Sequence, residues 1–238
     1  MKIIISPSKT KKIGNLLEIN EYKKPIFKKE IKKIVGEIST FSFIQMENKF
    51  KLKEDKAKKL LEFYKNFDKR KKGHSLSSYS GIAFKSIGIK EFTEEDIKFA
   101  EKHLIILSAL YGILTPLTLI KEYRLDMVNP IFSNKSLYEF WKNKINEYFV
   151  NEKCIINLAS KEYSKIINSE NIYNFEFYDN IDGNLKQIST NSKKMRGYTV
   201  NYIIKNKITK VENLKNISLN GYVYDKEKSS DRKYVYIK

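Results

Sequence analysis

Three apolar runs in the chain end in the same kind of chemistry: IIISPSKT over 3–10, LIILSALYG over 104–112 and CIINLASKEY over 154–163. Each brings a serine to the end of the run or just past it: Ser6, Ser108 and Ser160. Each has a Lys or Tyr three residues later: Lys9, Tyr111 and Tyr163. If the runs are parallel neighbours in one sheet, these groups meet in one crevice, because open α/β sheets bind ligands beyond the carboxyl ends of their strands. Serine hydroxyls, loop N–H groups and a lysine are phosphate ligands. Ser8 and Thr10 flank Lys9 in the first loop, and further cations come from Arg124 in EYRLD and from Lys193, Lys194 and Arg196 in KKMRG. Tyr111 and Tyr163 could stack on a base or donate to an oxygen. Lys9 and Tyr111 are the candidates for a catalytic role, should there be one. Serines and tyrosines also end strands and cap helices for structural reasons alone, so the expectation rests on convergence. Lys11 and Lys12 read as peripheral field. Glu122, Asp126, Glu162 and Asp179 are the acids available for proton transfer, and each reads first as a salt-bridge partner.

The elements that must position these groups follow from periodicity. Lys2 to Ser6, LIILSAL and CIINLA read as buried strands, with Cys154 a buried structural thiol. Residues 11 to 25 are loop-like, with Gly14, Asn15 and Pro25. Ile31, Ile34, Val35 and Ile38 recur at helical spacing, FSFIQM continues as a short helix, and Ala57, Leu60, Leu61, Tyr64 and Phe67 form another stripe,. Between the last two, the stretch from Glu47 to Lys53 reads as a tight connection, with its turn at Glu47-Asn48-Lys49-Phe50. His74 to Ser80 reads as a polar link with an exposed histidine, and GIAFKSIG as a short strand or turn. Thr93 caps a helix, with Asp96 at the capping-box position. His103 at the end of that helix reads as structural. Leu137 to Phe149 is an amphipathic helix with Phe140, Trp141, Ile145 and Tyr148 inward. A further helix starts near Lys161, a hairpin turns at Asp182-Gly183, Lys193 to Asn206 is helical, and GYVYDKEKSSDRKYVYIK closes as a hairpin,. This alternation predicts an α/β (mixed α+β) fold. It is a compact single domain over 1–238 with a mixed, partly parallel sheet surrounded by helices, and 26–72 is an embedded basic helical segment.

Charge narrows the function classes. The chain of 238 residues carries 46 Lys and Arg against 28 Asp and Glu, a net charge of +18. Such a field attracts polyanions. Part of the excess is compositional, since Lys, Ile and Asn are the residues an AT-rich genome favours, so location matters more than the total. The densest basic block runs from Lys49 to Lys72 and includes Lys51, Lys53 and Lys56,. Helix, short turn, helix, with lysines in and after the turn, is how helix-hairpin-helix elements grip phosphates without reading bases. This turn lacks the usual hydrophobic-Gly-hydrophobic signature. No run approaches the roughly 18 apolar residues of a membrane helix, and the apolar N-terminal run is too short for a signal peptide. With one cysteine and no signal, the expected location is the cytoplasm. There is neither GxxxxGK[ST] nor GxGxxG, and with His74 and His103 the only histidines, a metal site or a His-based triad is hard to build,. No metal and no cofactor are expected.

The chain resembles the YaaA peroxide-stress proteins of bacteria, collinearly and over nearly its whole length. The resemblance lies in ISPSKT (5–10), HLIILSALYGIL (103–114), EYRLDM (122–127), LYEFW (137–141), INLASKEY (156–163), KKMRG (193–197), IIKNKIT (203–209) and GYVYD (221–225). It implies protection from hydrogen peroxide, with less free iron and less DNA damage. It also implies a mixed α/β fold with a positive cleft and a helix-hairpin-helix element that binds DNA, duplex or non-duplex. Where the family tends to have Phe-x-Gly-x-x-Tyr-x-Gly-Leu, this chain carries Phe84 and Ser86 in place of the tyrosine and second glycine. Its Arg-Pro-Leu-Asp appears as Thr115-Pro116-Leu117-Thr118. The expected function is therefore cytoplasmic, peroxide-protective DNA binding by a monomer, through phosphates and with little sequence preference. The alternative is an enzyme acting on a nucleotide or on DNA in the Ser/Lys/Tyr crevice. Iron sequestration is disfavoured, because no His/Cys/carboxylate cluster has ligand spacing and a +18 protein repels cations.

Overall fold

A computed structural model describes residues 1–13, 17 and 19–238; Gly14 and Asn15 of the loop expected over 11–25 lie outside the described residues. In chain order the elements are β1 (Lys2–Ile5), α1 (Lys28–Ser39), α2 (Phe43–Phe50), α3 (Glu54–Lys65), β2 (Lys72–His74), α4 (Ser75–Ser78), α5 (Ile82–Ile87), α6 (Glu94–His103), β3 (Leu104–Ser108), β4 (Gly112–Leu114) and β5 (Leu119–Lys121). Then follow α7 (Leu137–Phe149), β6 (Ile155–Leu158), α8 (Lys161–Ser164), β7 (Ile172–Ile181), β8 (Asn184–Lys186), α9 (Ser189–Lys205), β9 (Ser218–Leu219), β10 (Tyr222–Tyr224) and β11 (Lys233–Ile237).

The main sheet runs in the order β4-β3-β1-β6-β7-β11-β10-β9, with β8 on β7, while β2 and β5 pair separately. Its centre, β3-β1-β6-β7-β11, is parallel, and its rims are antiparallel. Helices surround it, and the whole is one α/β domain. A central parallel strand is covered on both faces, which is why Ile3, Ile4 and Ile5 form an unbroken apolar run rather than an alternating one,. Each fully buried isoleucine contributes about 1.5–3 kcal/mol.

Several helix starts follow directly from side-chain caps. Ser42 with Gln45, Thr93 with Asp96 and Ser136 with Glu139 form reciprocal capping boxes at α2, α6 and α7,. On α7, Trp141 and Ile145 are buried, while Phe140 and Tyr148 are half-buried at the edges of the stripe. The Trp141 indole donates to the Ala109 carbonyl at 2.8 Å, tying α7 to the loop after β3.

Four local expectations are corrected. GIAFKSIG is helical as α5, because Phe84 and Ile87, three apart, both bury against the core. It packs closely on α9, where a Cβ on Gly197 would stand 2.1 Å from the Ala83 carbonyl oxygen. The turn after α2 is not at 47–50. Met46 and Phe50 occupy one buried face, so α2 continues to Phe50, and the chain turns at Lys51 in a left-handed conformation (φ 50°). His74 is buried rather than exposed: Leu17 N–H donates to its Nδ1 and its Nε2 bonds the Glu21 carbonyl, both at 3.0 Å. Burial lowers its pKa despite that carbonyl,. Cys154 is only half-buried. His103 bonds the Met1 carbonyl at 2.8 Å, a structural link.

Candidate functional site

The three serine-ended strands are adjacent and parallel: Ile5 pairs with Ile106 of β3 on one side and Leu158 of β6 on the other. Their carboxyl ends open into a cleft of about 1050 Å³. The loop after β1 forms one wall with Ser6, Ser8, Lys9, Thr10 and Lys11. Lys56, Lys59, Leu60 and Phe63 of α3 form another, and Lys193 and Arg196 of α9 approach from a third side. Glu122, Arg124 and Asp126 after β5, and Ser160, Glu162 and Tyr163 after β6, complete the lining.

Convergence is real for two serines and indirect for the third. Ser160 N–H donates to Ser6 Oγ at 2.8 Å, and the two hydroxyls lie 3.1 Å apart. Both serines stand past the last paired residue of their strands. Ser108 still pairs, with Gly112 of β4, and is buried behind the cleft. Its Oγ accepts the Tyr111 N–H at 3.0 Å and contacts the Tyr123 hydroxyl at 2.9 Å, which in turn contacts the Tyr79 hydroxyl at 2.7 Å. Tyr111 is buried as well, its hydroxyl accepting the Lys121 N–H at 2.8 Å. Burial raises all three phenols, Tyr123 to about 12,. Tyr163 is buried at the cleft, and burial likewise pushes its phenol upward.

The remaining predicted residues divide in the same way. Lys49 donates to the Pro130 carbonyl at 2.5 Å and stands 5.0 Å from the Phe41 ring centre. Lys51, Lys53 and Lys194 are exposed and outside the lining. Ser8 Oγ donates to the Thr10 carbonyl at 2.8 Å, bending the loop; Gly81 lets that loop approach α5, since a Cβ there would meet Ser8 Oγ at 2.4 Å. Lys9 pairs with Asp126 at 3.1 Å, but its side chain is 82% exposed, so the pair adds little stability,. Of the four acids, Glu122, Asp126 and Glu162 line the cleft; Asp179 lies elsewhere, accepting from Tyr222 and Asn191. Burial and the neighbouring Asp126 raise Glu162.

Lys11 departs most from expectation. It is half-buried in the cleft, not peripheral. The signal in the sequence was its spacing: two residues after Lys9 it falls on the same side of an extended segment, and it pairs with Tyr79 in an isolated antiparallel bridge,. Lys59 was also missed, although it follows Lys56 by three residues and so shares its face of α3,. Arg196 is half-buried, burial lowers its pKa, and among the described residues its buried Nε has no hydrogen-bond acceptor. Seven Lys and Arg line the cleft against three carboxylates. Among the described residues no three His, Cys, Asp or Glu side chains cluster as a metal site requires. Among those residues, too, no helix is long and apolar enough to cross a membrane.

The family described as "Peroxide stress protein YaaA" matches residues 1–228. A UPF0246 protein of Fusobacterium nucleatum is 36% identical over 99% of this chain and 98% of its own length. UPF0246 proteins of Finegoldia magna and Clostridioides difficile are each 37% identical over 100% of this chain, and over 98% and 100% of their own lengths. The chain therefore belongs to the peroxide stress protein YaaA family. Thr115 and Thr118 join their hydroxyls at 2.9 Å across one turn.

Proposed function

We propose that this member of the peroxide stress protein YaaA family is a cytoplasmic, monomeric DNA-binding protein. It guards DNA during peroxide stress through phosphate contacts with little sequence preference. The observation that carries the reading is the cleft lining, with seven Lys and Arg against three carboxylates,. The turn between α2 and α3 supports it. Phe50-Lys51-Leu52 is hydrophobic-X-hydrophobic, with X in the left-handed conformation that glycine adopts in a helix-hairpin-helix,. Glu54 and Asp55 occupy the first turn of α3, so phosphate meets this element through Lys51 and Lys53 rather than through the helix N-terminus,.

The test is affinity against salt on unrelated duplex sequences. With about four to six phosphate contacts, log K falls with log salt at a slope of about −0.9 per contact. Affinities on the different sequences agree within a few-fold. A flat salt response would overturn the reading.

The second reading, an enzyme acting on a nucleotide or on DNA, draws on Lys9, Asp126, Ser6 and Ser160 sharing one cleft. There Lys9→Ala abolishes turnover while most DNA affinity survives. Equal loss of DNA affinity on Lys9→Ala and on a multiple Lys→Ala change in 49–59 would remove its support.

A further inference from the structure

Lys11 is a cleft cation without a carboxylate on it. Among the described residues it forms no ion pair, whereas Lys9, two residues earlier, is held by Asp126. The Lys11 amine donates to the Tyr123 carbonyl at 3.1 Å and to that of Lys9 at 3.5 Å. It lies 4.1 Å from the Tyr123 ring centre and 5.5 Å from that of Tyr79. The charges facing it are Asp126 and Glu122, which favour the ammonium form, and Arg124, which opposes it. Burial outweighs the two acids and lowers the amine to about 8,. At pH 7.5 about a quarter of such an amine is neutral, against about one in a thousand for a solvated lysine. A neutral lysine amine held in a cleft is the nucleophile of imine formation with carbonyl compounds.

A second group in the same cleft points to an anion. Arg196 is half-buried and lines the cleft from α9; among the described residues its Nε, itself out of reach of solvent, has no acceptor. The guanidinium fork matches a phosphate better than any neutral group. Amine and guanidinium therefore suit a ligand that carries both a carbonyl and a phosphate. The space, about 1050 Å³, takes a nucleotide-sized group with room for its flanking phosphates.

We infer that Lys11 captures the aldehyde carbon of a phosphorylated sugar whose phosphate sits on Arg196, and that the open-chain abasic sugar of a DNA strand is the source. This rests on the DNA-binding reading above. The Nζ lone pair forms a bond to C1′, and the carbonyl π pair moves to oxygen, which takes a proton. The carbinolamine then loses that oxygen as water when its C–O bond breaks. The remaining N–H proton goes to solvent, leaving a C=N bond. Nothing is oxidised or reduced, and addition of water reverses the capture.

The test is borohydride trapping on the full chain. A duplex with one abasic site is incubated with the protein, and sodium borohydride reduces any imine to a stable amine. The adduct is read on a denaturing gel and its position by peptide mass mapping. The expected result is an adduct at Lys11 whose rate of formation climbs with pH to a midpoint near 8. Lys11→Arg, which keeps the charge, should lower the yield per bound complex at least tenfold, with melting followed to confirm the fold. An adduct mapping to other lysines, undiminished in Lys11→Arg, overturns the inference. So does the absence of an adduct with the abasic duplex when a duplex carrying a tetrahydrofuran abasic analogue, which has no aldehyde, is bound. Failure to bind that analogue overturns the DNA-binding reading and the DNA source with it. Free 2-deoxyribose 5-phosphate forms the second arm: trapping at Lys11 with it but not with the abasic duplex keeps the amine chemistry and overturns the DNA source.

Discussion

Two places in this molecule draw cations out of water, and they treat them in opposite ways. Beside α6, Asp96 is nearly fully buried and takes Lys205 at 2.9 Å together with Lys207, while its second role is to cap its own helix from inside. In the cleft, Lys11 and Arg196 are half-buried; among the described residues Lys11 bonds carbonyls beside two rings and forms no ion pair, and the Arg196 Nε has no acceptor. At Asp96 burial would raise the carboxyl, but the two lysines and the Thr93 N–H overcome it and hold the group well below the ordinary value of 3.8,. At Lys11 and Arg196 burial wins, and both cations are easier to deprotonate. The same residue types thus anchor the fold where a carboxylate pairs with them directly and stay open to a further anion where none does. Sequence spacing does not separate the two cases, because KKMRG and the Lys205–Lys207 pair lie on and just beyond one helix.

The contrast can be broken at either end. Asp96→Ala leaves two lysines around an empty site and removes a capping box, and should cost about 3 kcal/mol in urea unfolding, with the DNA affinity of the folded fraction unchanged. Asp96→Asn sharpens this through pH. A carboxyl whose folded pKa is depressed adds stability that is present above its unfolded value and is lost as pH falls. The wild type should therefore lose stability below about pH 4 more steeply than the variant,. Arg196→Met should do the reverse of Asp96→Ala: about tenfold weaker DNA binding at low salt, with stability changed by less than about 1 kcal/mol. Loss of stability without loss of affinity would make Arg196 a packing residue. Lys56→Ala with Lys59→Ala should flatten the salt slope by about 2. Lys51→Gly is the smallest change expected, a gain of about 1 kcal/mol from relief of the left-handed residue,. It should also lower the salt slope by about 0.9 if Lys51 meets a phosphate.

How far the site could be read from the chain depended on whether a signal was local. Capping boxes at Thr93 and the bounds of α7 are written in three or four neighbouring residues, and both were legible. So was the approach of Ser6 to Ser160, because two parallel strands of similar length must end side by side. Ser108 failed the same argument because β4 folds back and keeps it inside the ladder, a fact held by Gly112 and not by the strand itself. The turn at Lys51 was placed a few residues early because a lysine gives no sign of a positive φ. Lys11 and His74 were misjudged for one reason: each is covered by a segment distant in sequence, Tyr79 and Tyr123 in one case, Leu17 and Glu21 in the other.

The position of β1 bears on how the chain acquires its shape. It lies between β3 and β6, and its partners follow it by about a hundred and about a hundred and fifty residues. A strand at the middle of the sheet therefore gains its first partner only with β3 and its second only with β6. Its three isoleucines remain exposed to wrong partners over that interval. Contacts of such long range slow folding and favour aggregation. The cleft, built where β1 and β6 end, can close only after that late pairing, so a chain interrupted before β6 would carry its lysines without the site that gathers them.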